Sequence, residues 1–132
     1  MKIKVDTKEK FQVLRPQNPE LSVIMAEELV NLVKHRFGTT AKNAIIDMTN
    51  IAEADEQALI ELATLLQLCQ KNQASLVFYG VKPAVKSAMQ GLDLIDVFQI
   101  TPTESEAWDI VQMEEIEREL FGEDTPGNEL EE

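Results

Sequence analysis

At 132 residues, with 44% apolar and 27% charged side chains, the chain suits one domain that buries about two thirds of its unfolded surface. A net charge of −12 argues against a nucleic-acid partner, because phosphate recognition needs clustered Lys and Arg. The single cysteine, Cys69, excludes an intramolecular disulfide, and no apolar run nears the ~20 residues that span a bilayer.

The polar stretch 1–10 is unlike a secretory leader, so a cytoplasmic protein without direct membrane insertion is expected. Ile3 and Val5 alternate with Lys2, Lys4 and Asp6, and Phe11 and Val13 with Lys10 and Gln12. This predicts a β-hairpin with one wet face. Pro16 and Pro19 bar a continuing central strand. From Ser22 the period lengthens: Met25, Leu29, Leu32, Val33 and Phe37 oppose Glu27, Glu28, Asn31 and Lys34 in an amphipathic helix that Gly38 would stop. His35 lies on the polar side with no second His or Cys beside it, so no metal site is expected.

Residues 43–48 form an apolar run suited to a buried central strand. Asp55 is placed to cap a second helix, with Glu56 in its first turn and Ala58, Leu59, Leu62, Leu65, Leu66 and Cys69 on its buried stripe. Residues 75–79 read as another buried strand closed by Gly80. Pro83 opens a short helix through Val85, Ala88 and Met89 that Gly91 would stop. Val97, Phe98 and Ile100 read as a last strand. Thr103 or Ser105 then leads into a terminal helix through Ala107, Trp108 and Val111 to about Phe121.

Strands alternating with helices imply an α/β fold: a mixed sheet of about five strands, the hairpin plus parallel strands, packed against about four helices. Charge is uneven along it. Between 114 and 132 stand nine acids and one base, Arg118, which leaves −4 for the preceding 113 residues. Catalytic constellations are missing: there is no Gly-rich phosphate loop and no nucleophile elbow, and Cys69 lies on a core stripe away from His35. Asp47, Glu53, Asp55 and Glu56 gather at one strand–helix junction, where capping and loop solvation explain them more simply than acid–base chemistry. Neither an enzyme nor a cofactor is expected.

The segment Ile45-Ile46-Asp47-Met48-Thr49-Asn50-Ile51, with Ala54-Asp55 and the helix from Ala58, resembles the signature of bacterial anti-sigma factor antagonists and the wider STAS family (sulfate transporter and anti-sigma factor antagonist). Asp47, Thr49, Ile51, Asp55 and Leu59 match its pattern. Lys82-Pro83, the stretch 92–98 and Ser105-Glu106-Ala107-Trp108 resemble later family segments, so the similarity spans about 1–112. The resemblance implies a protein-recognition surface that includes Thr49, Asn50, Asp55, Glu56, Gln57 and Lys82. In the family a kinase that is also the anti-sigma factor phosphorylates a serine at the start of this helix. Here Glu56 stands at that position and Gln57 at the next, so the usual switch is absent; Glu56 either imitates phosphoserine weakly or serves as an ordinary first-turn residue.

The resemblance therefore points to a regulatory module whose partner is an anti-sigma factor, kinase or other regulator. The alternative is a stand-alone STAS subunit of an ABC-type membrane transport complex, docked on its cytoplasmic ATPase. Beyond a STAS-like domain at 1–112, residues 113–122 read as an extension of the terminal helix and 123–132 as an acidic, disordered tail. Met113, Ile116, Leu120 and Phe121 on the extension either pack on their own domain or bind a partner or a second copy.

Overall fold

The computed structural model describes residues 2–122; the expected tail, 123–132, lies outside them. In chain order the elements are β1 (Ile3–Thr7), β2 (Phe11–Pro16), β3 (Glu20–Leu21), α1 (Val23–His35), β4 (Asn43–Asp47), β5 (Glu53–Ala54), α2 (Glu56–Lys71), β6 (Leu76–Tyr79), α3 (Pro83–Gly91), β7 (Ile100–Thr101) and α4 (Glu104–Glu117). A π-helical turn, Arg118–Gly122, continues α4. The main sheet has five strands in the order β1-β2-β4-β6-β7, with β1 antiparallel to β2 and every other pair parallel. This is the expected mixed sheet with four helices.

Period-two alternation sorts the strand residues between two helical layers. Leu14, Ala44, Ile46, Leu76 and Phe78 pack with Leu29, Leu59 and Leu62 of α1 and α2. Val13, Ile45, Val77 and Tyr79 take the opposite face with Ala107 and Val111 of α4. Strands covered on both faces have no room for a polar side, which is why β4 and β6 read as unbroken apolar runs.

The same rule corrects the hairpin. Only β1 is wet; β2 lies between β1 and β4 under helices on both sides, and Gln12 is fully buried, its Nε2 donating to the Leu32 carbonyl at 3.1 Å. The alternation of Phe11 and Val13 with Gln12 was real, but its polar member meets a backbone carbonyl rather than water. Val97 and Phe98 are also not strand. They lie in the turns before β7, where Phe98 sets its ring edge-on to Phe78 at 5.1 Å while Val97 stays exposed. A second, two-stranded parallel ladder, β3 with β5, has no counterpart in the expected elements, because two residues per strand carry no periodicity.

Helix starts follow their side chains. Ser22 Oγ accepts from Met25 N at 3.2 Å, and Thr103 Oγ1 from Glu106 N at 3.3 Å, which settles Thr103 as the start of α4. Glycine closes one helix but not the next. α1 ends at His35 and its last turn runs on to Gly38, left-handed at φ 85°, as expected, whereas Gly91 is still helical. The left-handed residues that close α2 and α3 are Gln73 (φ 56°) and Asp93 (φ 60°). In both, paired bonds run back into the last turn: Ala74 N to Cys69 O at 2.9 Å, and Leu94 N to Met89 O at 2.8 Å. A left-handed L-residue costs about 1–2 kcal/mol, and glycine's extra unfolded freedom takes back about 0.4–1. Gln73→Gly is therefore expected to stabilise the protein by about 0.5–1 kcal/mol, read as a higher urea midpoint at unchanged slope.

Candidate functional site

β4 and β6 are adjacent and parallel, so the loops after them emerge at the same end of the sheet. The first is built from Asp47, whose Oδ1 accepts from both Thr49 N (2.9 Å) and Thr49 Oγ1 (2.6 Å). This local turn leaves Thr49 and Asn50 exposed while Met48 and Ile51 dive into the core. The loop is then stitched to the segment before α1: Ala52 N donates to Pro19 O at 2.7 Å and Asp55 N to Leu21 O at 2.9 Å. Buried anchors and backbone bonds tether it on both sides.

Asp55 has the extended backbone of an N-cap, and its carbonyl accepts from Leu59 N at 3.1 Å, but its side chain makes no capping bond. The expected carboxylate cap is thus corrected: the position caps, the carboxylate does not. Asp55, Glu56 and Gln57 are all exposed on the first turn of α2. From the second loop, Lys82 is exposed as the N-cap residue of α3, with no side-chain cap. The six residues expected to form a recognition surface lie on these two loops and the two helix starts. Asn50 reaches the end of β2 as well, Nδ2 to Pro16 O at 3.4 Å.

Gly80 joins the two loops. It has φ +71°, and a Cβ there would overlap Thr49 Cγ2. The loops can lie this close because position 80 has no side chain.

Beneath this end sits a group that strand periodicity did not single out. Arg15 Nη1 and Nη2 meet Glu104 Oε1 and Oε2 at 3.0 and 3.1 Å, its Nε meets Asp6 at 2.9 Å, and Nη1 also reaches Tyr79 Oη at 3.0 Å and Asp47 Oδ2 at 3.4 Å. One guanidinium ties β1, β2, β4, β6 and α4. Its signal in the sequence was parity: Arg15 continues the Phe11–Val13 face, so it had to point under α4. The Arg15 guanidinium is the main force holding the Glu104 carboxyl below its ordinary range. Burial alone would raise Asp47, but the Thr49 hydroxyl and amide, with Tyr79 and Arg15, hold it low. Burial foremost, then Asp47, pushes the Tyr79 phenol up. Groups fixed this firmly in one protonation state suit a structural clamp more than proton transfer.

The four carboxylates of the junction do not converge. Asp47 is buried against Thr49 and Arg15, whereas Glu53, Asp55 and Glu56 face solvent. Among the described residues, no three His, Cys, Asp or Glu are grouped to hold a metal ion, and no helix is long and apolar enough to cross a membrane. Cys69 is buried on α2, its thiol pushed up to about 12 by burial.

At the other end of the sheet, α4 runs past residue 112 without a break. Met113, Ile116, Leu120 and Phe121 are all exposed, at 57%, 54%, 61% and 68%. Polar side chains point inward instead. Glu115 accepts from Asn43 Nδ2 at 3.1 Å, Arg118 Nη2 donates to Asn43 Oδ1 at 3.0 Å, and Glu114 bonds Ser75 Oγ and Gln99 Nε2. Asn43 is itself fully buried, and its Oδ1 also accepts from Ser75 N at 2.8 Å. These four apolar residues therefore do not pack on their own domain.

The model of the STAS domain matches residues 2–107, and this chain belongs to the STAS domain family. Solved structures share the fold at low identity. A candidate anti-sigma factor antagonist from Thermotoga maritima superposes with a TM-score of 0.71 at 17% identity, over 83% of this chain and 94% of that one. The anti-sigma factor antagonist SpoIIAA in its unphosphorylated form gives 0.69 at 16%, over 85% and 97%. A sulfate transporter family protein from Wolinella succinogenes gives 0.70 at 15%, over 84% and 92%. No protein of curated function matches the sequence significantly.

Proposed function

We propose that this protein is a non-enzymatic interaction module of the anti-sigma factor antagonist kind, which binds an anti-sigma factor, kinase or related regulator through Thr49, Asn50, Asp55, Glu56, Gln57 and Lys82. The observation that carries this reading is the junction itself: an exposed loop, tied by backbone bonds to the segment before α1, leading into a first turn of α2 that presents Glu56 and Gln57 to solvent. By the family resemblance these two occupy the positions of the phosphorylatable serines. Interaction surfaces that need little ordering lose little entropy on binding. A helix N-terminus is also where a change of charge acts strongly. With no serine at these two positions, the usual phosphorylation switch has no acceptor there. The same absence favours a second reading, a cytoplasmic STAS subunit of an ABC-type transport complex, for which a permanent contact is more useful than a switch.

The test is affinity capture from the native cytoplasm with the wild-type chain and with Asn50→Arg plus Lys82→Glu. Recovery of a sigma-pathway regulator by the wild type alone supports the first reading, and recovery of a transporter ATPase the second. If the double variant captures the same proteins equally well, the surface is wrong. Two further substitutions separate roles on the purified pair. If Glu56 imitates phosphoserine, Glu56→Ser strengthens regulator binding; unchanged affinity makes Glu56 an ordinary first-turn residue. Asp55→Ala is expected to change stability by less than about 0.5 kcal/mol, since no cap bond is lost, while weakening the complex.

A further inference from the structure

The extension of α4 is inside out. Its charged and amide-bonded side chains, Glu114, Glu115 and Arg118, turn toward Asn43, Ser75 and Gln99, and its apolar side chains turn to solvent. Rolling the helix to bury the apolar stripe would strip partners from Asn43, a fully buried amide that holds Lys10 O, Glu115, Ser75 N and Arg118 together. These polar bonds favour the outward facing of the stripe.

Met113 and Ile116 lie three residues apart on the outer face of α4, and Leu120 follows in the π-helical turn, so the three make a short apolar stripe that a partner helix can cover. Phe121, farther round the helix, forms one wall of a groove of about 600 Å³ beside the end of α2. Charge selects the occupant. Glu117, Glu119 and Asp109 border the Met113–Ile116–Leu120 stripe, while Lys8 and Lys10 line a hollow with Ile116 on its β1–β2 side. Among the described residues, Asp109 and Glu117 form no salt bridge, whereas Glu119 is shared with Lys10 in an exposed pair. A second copy would set Asp109 and Glu117 against their own equivalents. A helix with apolar anchors and flanking Lys or Arg would meet opposite charge instead.

We infer that the face formed by Met113, Ile116, Leu120 and Phe121 is a docking site for a basic amphipathic helix of another protein. It lies beyond the family match, which ends at residue 107, and at the opposite end of the sheet from the loop surface proposed above. The two surfaces share no residue, so either inference can fail without the other.

The probe is a labelled synthetic heptad peptide with Leu at a and d and Lys at e and g, titrated with the full chain and read by fluorescence anisotropy. Its counterpart carries Glu at e and g. The wild type is expected to bind the Lys peptide at least about tenfold more tightly than the Glu peptide. Met113→Ser, Ile116→Ser and Leu120→Ser combined should weaken Lys-peptide binding by at least about tenfold at an unchanged melting temperature, because all three side chains are exposed. Glu117→Lys, a single exposed change, reads the charge term alone and should narrow the preference between the peptides. Equal binding by the triple variant overturns the inference. So does sedimentation that finds a wild-type dimer abolished by the same three changes, since a second copy would then be the occupant.

Discussion

Gly80→Ala is expected to lower the unfolding free energy by about 3 kcal/mol and to disturb the candidate recognition loop from beneath. Two effects add. The left-handed backbone at φ +71° costs an alanine about 1–2 kcal/mol. The new methyl also enters the space of Thr49 Cγ2, and Thr49 cannot rotate away without giving up its hydroxyl bond to Asp47 at 2.6 Å. Forced overlap of this kind typically costs about 1–3 kcal/mol. Thr49→Ser removes the offending methyl and keeps the hydroxyl, so it should recover the steric part and leave only the backbone part. Urea unfolding of both single variants and the double variant closes the cycle. Additive losses would show that Thr49 and Gly80 do not meet as described.

Arg15→Met is the second large effect, about 2 kcal/mol at neutral pH. Methionine keeps the aliphatic stem but strips the bidentate partner from Glu104 and the nearest cation from Asp47. Removing one member of a fully buried pair costs about 3–5 kcal/mol; here the Arg15 side chain is 23% exposed and water recovers part of the loss. The effect is expected to depend on pH. Asp47 and Glu104 have folded-state pKa values below the ordinary carboxylate range, so the folded protein binds fewer protons than the unfolded chain, and their contribution is present at neutral pH. It is lost as acid titrates them, from about pH 5 downward. The gap between wild type and variant should therefore shrink from pH 7 to pH 3. A constant gap would mean that Arg15 acts through packing rather than through its charge.

These two residues show where sequence reading stops. Long, periodic elements were legible because burial leaves a pattern: the unbroken apolar runs of β4 and β6 and the stripe of α2 each imply a neighbour on a known face. The Asp47-to-Leu59 junction was legible as a family pattern, and all six candidate contact residues do come out on one end of the sheet. What depended on meetings between distant residues was not. Gln12 read as solvent-facing because its partner, Leu32 O, lies 20 residues away on a helix. For Arg15 the parity was readable but the partner was not; Glu104 lies 89 residues away on α4. Asp55 has the right residue type for a cap, yet the segment before α1 holds its backbone while its carboxylate stays free. Most instructive is residue 113 onward: an amphipathic pattern tells that a helix has two faces, not which of them turns inward. Buried Asn43 and Ser75 reversed the usual choice.

The free margin of β1 has a consequence for how the protein behaves when crowded. A sheet border with unpaired amides and carbonyls invites another chain to join by backbone bonding, the first step toward fibrous assembly. Here the border strand alternates Lys4 and Asp6 with half-buried Ile3 and exposed Val5, and Asp6 is drawn across onto Arg15. An arriving strand would have to seat its side chains beside that ion pair. The opposite border, β7, is only two residues long and offers little to grip. Charge on one margin and brevity on the other thus oppose lateral growth of the sheet, where a flatter, more apolar border would invite it.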